Sequence, residues 1–452
     1  MHRKFSASTL IICAFLAAAE GAGGQGLPVD IGGTVERALD GEIIGNVERR
    51  VEDQVSRTVE AIELPDLPGQ LTNGVVESLD PLKTLDGLKG LPGIVEAVSG
   101  REIVIDTADG WPVIRDEWVL LANDEEAARI EAAGLRILED TAMASLPARL
   151  LVVEVNPDAP GGKRAEKLLE ELGAELADRN HVYLAASPAP AKEAGPKAPK
   201  SAPRQGSYLP VGLIDTDVDE THSSLKDLPL TEQDFVTHGT LRPQTHGTAV
   251  ASILARELPS SRKGAPAVRA ASVFFLSEDG TTGATTASLV RAVDWMIAEK
   301  VAVINFSLTG PANKTLEEIV RAGQAEGIVF VAAVGNDGPA ARPLYPAAYP
   351  GVIGVTAVDK DGKIYRWANR GDYVAVAAAG VQVEIARPGG GSVLDSGTSF
   401  AAPVVSAWMA AELAADRGGD PFRLIEAAAR PATKAGRDGT FGYGILAPPP
   451  AH

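Results

Sequence analysis

Cysteine is almost absent from this sequence: Cys13 is the only one in 452 residues. A single cysteine excludes any disulfide within the chain, so the fold depends on core packing alone. Cys13 also lies inside an N-terminal pattern, with a basic start at residues 2–4 and a short apolar run at residues 10–19, followed by small residues. This pattern is typical of a secretory signal peptide, which we assign to residues 1–26, so we expect the mature protein to contain no cysteine.

Two other interpretations of the N-terminus fit less well. An uncleaved anchor needs a longer apolar run, because a membrane-spanning helix takes about 20 apolar residues. A lipoprotein needs a small residue before Cys13, where this chain has Ile12. No later segment is apolar enough to span a membrane. We therefore expect a secreted or periplasmic protein.

Positive charge is also in short supply. The chain has 42 Lys and Arg residues against 60 Asp and Glu, which gives a formal net charge of -18. Such a protein repels a phosphate backbone, which argues against nucleic acid as its main partner. The length is sufficient for two or three domains, each with its own core.

Residues 27–111 carry the weakest structural signal. Apolar side chains recur there at every fourth position, which favours one face of an amphipathic helix: Val35, Leu39, Ile43, Val47, Val51, Val55 and Val59. Such a helix either packs locally with its polar face in solvent or pairs with a partner. Repeated Leu-Pro and Gly signals predict loop over residues 64–100, and the role of the whole region stays open.

The rest of the chain divides into four parts. Residues 112–187 predict the order β-α-β-β-α-β, a small α+β unit of the ferredoxin-like type. Residues 188–206 are rich in Ala, Pro and Lys, which predicts a flexible linker. In residues 207–447 short apolar runs alternate with helical stretches, which predicts a doubly wound α/β fold: a mainly parallel sheet with helices on both faces. Residues 448–452 are a short tail.

Three motifs in residues 207–447 supply an acid, an imidazole and a hydroxyl. Asp215 ends the apolar run Val-Gly-Leu-Ile, His246 begins His-Gly-Thr before a helix, and Ser399 lies in Ser-Gly-Thr-Ser at the start of another helix. Taken singly, each also suits a common structural role: a loop-capping Asp, a surface His and a helix N-cap Ser. Taken together, they are the parts of a nucleophilic acyl-transfer site.

The order Asp, His, Ser in these motifs resembles the subtilisin-like serine peptidases (subtilases) over about 240 residues. The resemblance implies a serine endopeptidase in which Ser399 is the nucleophile, His246 the base and Asp215 the residue that orients the base. It also implies that Asn336, in Val-Gly-Asn-Asp-Gly, donates its amide to the oxyanion. The substrate-binding residues that it implies are Ser307, Leu308, Thr309, Gly310, Ala333, Val334, Gly335 and Leu344.

The position of residues 112–187 resembles that of the inhibitory prodomain in this family. The resemblance implies a precursor that is inhibited by its own prodomain and cuts itself near Ala186, with proteins or peptides as substrates. Thr309 and Leu344 stand where relatives have smaller residues, so we expect a preference for Ala or Val before the scissile bond. Residues 256–267 lack the acidic pattern of a calcium loop, so we expect no metal there and no cofactor.

Three positions depart from the family pattern, although none belongs to the triad: Asp217, Ala249 and Val404. A non-catalytic binding protein on the same fold is one alternative, which the intact triad disfavours and the N-terminal amphipathic pattern favours. A sedolisin-type peptidase is another. It shares the Ser-Gly-Thr-Ser segment but uses a Glu base, whereas this chain has His246 in a His-Gly-Thr frame.

Overall fold

The structure is a computed structural model of the chain. The residues that it describes are 97–98, 101–105, 110–155, 163–185, 192–193, 208–237, 244–258, 268–276, 282–415, 419–433 and 436–446. Several predicted features lie outside these residues: the signal peptide 1–26, the helix of residues 35–59, the cleavage position Ala186, most of the linker 188–206 and the tail 448–452.

Nineteen strands and seven helices are formed by the described residues. The strands are β1 (Ala97–Val98), β2 (Arg101–Ile105), β3 (Pro112–Ala122), β4 (Arg136–Ala142), β5 (Arg149–Glu154), β6 (Asp178–Ala185), β7 (Lys192–Glu193), β8 (Val211–Asp215), β9 (Leu230–Asp234), β10 (Val268–Ser272), β11 (Phe274–Leu276), β12 (Thr282–Thr285), β13 (Val303–Phe306), β14 (Leu308–Thr309), β15 (Val329–Ala333), β16 (Ile353–Val358), β17 (Val374–Ala379), β18 (Val383–Ala386) and β19 (Ser392–Asp395). The helices are α1 (Asp124–Ala132), α2 (Lys163–Glu171), α3 (Thr245–Glu257), α4 (Thr286–Ala298), α5 (Lys314–Ala325), α6 (Thr398–Ala414) and α7 (Pro421–Ala428). Within these ranges no helix is both long and apolar enough to cross a membrane.

A seven-stranded parallel sheet forms the centre of the larger region, in the order β17-β16-β15-β13-β8-β10-β9. Its middle strands are buried along their whole length, which explains their unbroken apolar runs. Successive side chains point to opposite faces: Leu213 belongs to the core shared with α3 and α6, and Ile214 to the core shared with α4 and α5. The predicted α/β architecture with helices on both faces is therefore confirmed for this region.

Residues 110–155 and 163–185 form an α+β layer that packs against this region. Its elements follow the order β3, α1, β4, β5, α2, β6, and its strands lie antiparallel in the order β4-β5-β3-β6. The two helices pack on one face through a core that includes Trp118, Leu151 and Leu169. The sequence did not predict the strands β1 and β2, which precede residue 112. They extend this sheet, because β2 pairs with the start of β3 and β1 pairs with β2.

The strand β6 connects the two regions. It pairs antiparallel with β3 of its own layer and then with β12 and β14 of the larger region. Leu184 lies opposite Thr309, and Ala185 lies opposite Leu308. The last residues of the α+β layer are therefore hydrogen-bonded along a strand edge close to the ends of the central parallel strands.

Candidate active site

Asp215 and His246 are joined by a hydrogen bond of 2.7 Å between Oδ1 and Nδ1. Asp215 ends β8 and His246 lies in the first turn of α3, so the end of a strand meets the start of a helix. Both residues are buried, with 1% and 8% of their surface exposed. Because a carboxylate only accepts hydrogen bonds, Nδ1 of His246 is the donor, and Nε2 of the neutral ring is then an acceptor that can take a proton.

Gly247 allows the His246 helix to approach β8 so closely. A Cβ at this position would collide with the backbone carbonyl oxygens of Thr216 and Asp217. The Gly247 N–H instead donates a 2.7 Å hydrogen bond to Thr216 Oγ1. The His-Gly pair therefore combines the imidazole with the close backbone contact that brings it to Asp215.

Ser399 lies in the first turn of α6, which starts at Thr398 after the N-cap residue Gly397. This end of a helix carries backbone N–H groups and a positive partial charge, both of which favour an anion. The ring of the next residue, Phe400, packs against the ring of His246 with their centroids 5.8 Å apart. The helix that bears Ser399 and the helix that bears His246 therefore meet at this point.

Pro403 lies inside α6 and changes how Ser399 is held. Proline has no N–H, so the Ser399 carbonyl, four residues earlier, lacks the donor that a regular helix would supply. The Ser307 hydroxyl donates to that carbonyl at 3.0 Å and accepts a 2.9 Å hydrogen bond from Asn305 Nδ2. Ser406 Oγ in turn donates to Asn305 Oδ1 at 3.0 Å. This buried chain of polar side chains ties the end of β13 to α6.

The side-chain amide of Asn336 is oriented by Thr398. Asn336 Oδ1 accepts hydrogen bonds from both the N–H and the hydroxyl of Thr398, each at 3.1 Å. Thr398 Oγ1 also accepts the Gly335 N–H at 3.2 Å. Because the amide is planar, fixing Oδ1 in this way also fixes Nδ2. Asn336 therefore lies beside the start of α6 with its amide held in one orientation, close to the Ser399 N–H.

A second carboxyl group, which the sequence did not single out, interacts with His246. Asp395 ends β19, four residues before Ser399. Burial raises the pKa of Asp395 to about 6, although the Ser396 N–H and the positive charge of protonated His246 act in the opposite direction. The site therefore contains a further carboxyl group, Asp395, whose pKa is raised to about 6.

Residues 206–444, more than half of the chain, match the family model described as the subtilase family. The chain belongs to the subtilase family. Its relatives include the thermophilic serine proteinase of Bacillus sp. (strain AK1), 33% identical over 243 residues, or 52% of this chain and 59% of the relative. Subtilisin E of Bacillus subtilis (strain 168) is 30% identical over 249 residues, or 53% of this chain and 65% of subtilisin E. This subtilase therefore spans less than two thirds of the length of these relatives.

The solved structures show a similar fold. One is fervidolysin from Fervidobacterium pennivorans, described as a keratinolytic enzyme related to subtilisin. It superposes on this subtilase with a TM-score of 0.59 at 18% identity, over 78% of this chain and 61% of fervidolysin. At this level of identity the likeness concerns the fold alone.

Four of the expected substrate-binding residues of this subtilase lie on one strand edge. Ser307 is followed by Leu308 and Thr309, which form β14 and pair with β6. Gly310 then exchanges two backbone hydrogen bonds of 2.9 Å with Tyr345, which follows Leu344. The structure thus brings Leu344 alongside the end of β14.

Three other expected binding residues directly precede Asn336 in the chain. Ala333 ends β15, and Val334 donates its N–H to β16. Gly335 has φ +102°, a left-handed conformation that favours glycine, and a Cβ there would collide with Leu344. Among the described residues of the subtilase, no group of three or more His, Cys, Asp or Glu side chains is placed to hold a metal ion.

Several residues that shape the site were missed by the sequence analysis. Thr398 orients Asn336, Asn305 and Ser406 support Ser307, and Asp395 interacts with His246. A related contact did leave a signal in the sequence: Pro403 inside a helix shows that the Ser399 carbonyl needs a donor from elsewhere. It does not reveal which residue is the donor, because Ser307 lies 92 positions before Ser399.

Proposed function

We propose that this subtilase is an exported serine endopeptidase, made as a precursor that its own residues 112–187 inhibit. The observation that carries the proposal is the 2.7 Å contact between Asp215 and His246 next to the helix start that bears Ser399. Membership of the subtilase family supports the same chemistry. The N-terminal pattern of residues 1–26 supports export.

The first half of the reaction acylates the enzyme. Ser399 Oγ attacks the carbonyl carbon of the scissile peptide bond while its proton passes to His246 Nε2. Asp215 holds the Nδ1–H, which keeps Nε2 ready to accept the proton and stabilises the imidazolium that forms. His246 Nε2 is buried and makes no hydrogen bond to another described residue. Its contact with the serine hydroxyl forms as the substrate aligns the two groups.

The second half releases the products. Negative charge on the former carbonyl oxygen is stabilised by Asn336 Nδ2 and the Ser399 N–H. The intermediate then expels the amine, which takes its proton from His246 and leaves the acyl group on Ser399. Water attacks this ester and gives a proton to His246. The acid leaves, and the proton returns to Ser399 Oγ.

The pairing of β6 supports self-inhibition. Ala185 lies opposite Leu308, which directly follows Ser307, and the Ser307 hydroxyl contacts the Ser399 carbonyl. The strand therefore runs toward the nucleophile, in the antiparallel pairing that an extended substrate makes when it adds a strand to a sheet edge. The proposed cut after Ala186 lies one residue beyond the end of β6.

Further contacts support a tight complex between residues 110–185 and the larger region. Asp294 on α4 accepts the backbone N–H groups of Ala144 and Ser145, both at 2.8 Å. Thr315 at the start of α5 donates its hydroxyl to the Val119 carbonyl at 2.8 Å. Apolar side chains of both regions share one core: Val119, Met143, Leu150, Val152, Tyr183, Val290, Val293, Leu316 and Ile319. With these contacts intact, the cleaved fragment stays bound and inhibits.

The fold comparison supports the proposal for the N-terminal half of the chain. The expected specificity residues support a proposal about the residue before the scissile bond. The likeness to fervidolysin covers 78% of the chain, more than residues 206–444 can supply, so it includes part of the N-terminal half. Thr309 and Leu344 are both buried, and the two hydrogen bonds between Gly310 and Tyr345 hold their segments side by side. Side chains larger than those of the relatives would reduce the space for the residue before the scissile bond. We therefore propose cleavage after small residues such as Ala or Val.

The test is the intact mass of the exported protein, measured for the parent and for Ser399→Ala side by side. Ser223→Ala, which changes an exposed serine in the loop after β8, is the matched control. We expect the parent and the control to shorten between residues 184 and 206, and Ser399→Ala to keep its full length after signal removal. We expect the parent and the control to hydrolyse Ala-containing peptides, and Ser399→Ala to be inactive on them.

Each alternative outcome contradicts a definite part of the proposal. If all three proteins keep their full length and none hydrolyses peptides, the peptidase proposal is wrong and a non-catalytic role on this fold takes its place. If all three are shortened alike while only the parent and the control hydrolyse peptides, another protease matures the chain and the self-cleavage proposal is wrong.

A further inference from the structure

Tyr183 is the most deeply buried of the last three residues of β6. None of its surface is exposed, whereas Leu184 and Ala185 are half-buried. Its backbone lies opposite Ala284 of β12, just before the chain passes to β14. If the chain is cut after Ala186, Tyr183 is the fourth residue on the amino side of the scissile bond.

The cavity that holds the Tyr183 ring is shaped by a glycine. A Cβ on Gly310 would collide with the ring at three of its carbon atoms. Gly310 directly follows β14 and is held by its two backbone hydrogen bonds to Tyr345. The floor of this subsite is therefore a fixed backbone segment that leaves room for an aromatic ring.

The far end of the same cavity is polar. The Tyr183 hydroxyl donates a 3.0 Å hydrogen bond to the Pro311 carbonyl. The Tyr349 hydroxyl lies within hydrogen-bonding range of it and is itself fixed by 2.9 Å hydrogen bonds to the backbone N–H and carbonyl of Asn313. A side chain that fills the ring space without a hydroxyl would leave the buried Pro311 carbonyl without this donor.

From this geometry we infer that the subsite filled by Tyr183 in the precursor selects tyrosine in protein substrates, as the fourth residue before the cleaved bond. The inference rests on the proposed peptidase function and adds a requirement to it. A subsite built to hydrogen-bond a hydroxyl rejects the analogue that lacks it more strongly than an apolar cavity rejects a missing methylene. The loss of one buried hydrogen bond corresponds to about 10–100-fold in kcat/KM.

Three anilide peptides test the inference on the exported, processed protein: acetyl-Tyr-Leu-Ala-Ala, acetyl-Phe-Leu-Ala-Ala and acetyl-Ala-Leu-Ala-Ala. We expect kcat/KM for the tyrosine peptide to exceed that for the phenylalanine peptide by about tenfold or more, with the alanine peptide lowest. Gly310→Ala is expected to remove the advantage of the tyrosine peptide, because the added Cβ occupies the ring space.

A second measurement uses the full-length precursor. Tyr183→Phe keeps the ring and removes the hydroxyl, so the cleaved fragment should leave about tenfold faster, and peptide hydrolysis should appear after a shorter delay. The matched control is Tyr365→Phe, because Tyr365 is buried in the core that is shared with α3 and α6 on the other face of the sheet. This control should keep the delay of the parent.

The outcomes separate the inference from the function beneath it. Equal rates for the tyrosine and phenylalanine peptides, or a delay unchanged by Tyr183→Phe, overturn the tyrosine subsite and leave the peptidase proposal standing. If the parent cleaves none of the three peptides, like Ser399→Ala, the proposed function is wrong and the inference falls with it.

Discussion

The Ser307 hydroxyl donates a hydrogen bond of 3.0 Å to the backbone carbonyl of Ser399. This carbonyl belongs to the proposed nucleophile and lacks its regular helical donor, because Pro403 has no N–H. Ser307 therefore acts as a positioning residue for the first turn of α6. The sequence pointed to Ser307 only as one of the expected substrate-binding residues.

Removing this hydroxyl should slow turnover more than it weakens substrate binding. We predict that Ser307→Ala lowers kcat by about tenfold and changes KM by no more than about twofold, since the buried carbonyl loses its donor while the strand edge stays intact. Steady-state kinetics on one Ala-containing peptide measure both constants. Ser307→Thr, which keeps a hydroxyl, is the conservative variant that should retain most of kcat.

A double variant tests the physical cause. In Ser307→Ala/Pro403→Ala the new residue 403 has an N–H that can donate to the Ser399 carbonyl, as in a regular helix. We predict that part of the lost kcat returns in the double variant, a coupling that a double-mutant cycle with Pro403→Ala measures. Purely additive losses would show that the carbonyl contact does not control turnover.

The amide of Asn336 should contribute only when the transition state forms. We predict that Asn336→Ala lowers kcat with little change in KM, because the amide meets a charge that is absent from the bound substrate. In subtilisins, where the effect of such a loss is known, it is about 10²–10³-fold, and we transfer that magnitude to this chain. Steady-state kinetics that instead showed a raised KM and an unchanged kcat would assign Asn336 to ground-state binding.

Thr398 provides a graded control for the same amide. Its hydroxyl supplies one of the two hydrogen bonds to Asn336 Oδ1, and its N–H supplies the other. Thr398→Val removes the hydroxyl alone, so we expect a smaller loss of kcat than in Asn336→Ala, about tenfold. Thr398→Ser keeps the hydroxyl and should behave like the parent.

The residues that could be predicted from the sequence are those with distinctive local frames. Asp215 at the end of an apolar run, His246 before Gly247 and Ser399 in Ser-Gly-Thr-Ser each carry their signal in neighbouring positions. The alternating apolar runs likewise predicted a parallel sheet, and the ends of parallel strands meet at one edge. The contact between Asp215 and His246 is the physical consequence of that arrangement.

The features that could not be predicted depend on contacts between distant positions. Ser307 and Ser399 are 92 positions apart, and nothing near either residue indicates the other. The burial of Tyr183 depends on Gly310, more than 100 positions later. Apolar residues 270–275 indicated one strand, but the structure has β10 and β11 with different partners, because apolar periodicity does not show where pairing changes.

Asp395 should influence the pH profile of the reaction. Burial raises the pKa of Asp395 to about 6. Above that pH its carboxylate is charged and attracts the protonated form of His246. A charged Asp395 thus disfavours the neutral imidazole that the reaction needs. We predict that Asp395→Asn moves the acidic limb of the kcat/KM profile to lower pH. Asp361→Asn, which changes an exposed carboxyl in the turn after β16, is the control and should leave the limb in place. A shift of the limb to higher pH would contradict the proposed interaction.

Glu232 on β9 should make stability depend on pH. Burial, and then the nearby charge of Asp217, raise the Glu232 pKa to about 8, while the Val218 N–H donates to its Oε1 at 3.0 Å. A carboxyl with a folded pKa above its ordinary value binds its proton more tightly in the folded state. Its contribution to stability is complete below the ordinary pKa of 4.5 and is lost progressively as the pH rises from there through about 8.

The variant Glu232→Gln keeps the shape of the protonated side chain at every pH. We predict that it matches the parent in free energy of unfolding near pH 4 and exceeds it by about 1–2 kcal/mol at pH 9, a value reduced for the partial exposure of this side chain. Urea unfolding in a Ser399→Ala background gives the measurement without self-digestion. Glu220→Gln, an exposed neighbour, should show no comparable rise between the two pH values. If Glu232→Gln were less stable than the parent at pH 9, the carboxylate would be stabilising there, and the raised pKa would be wrong.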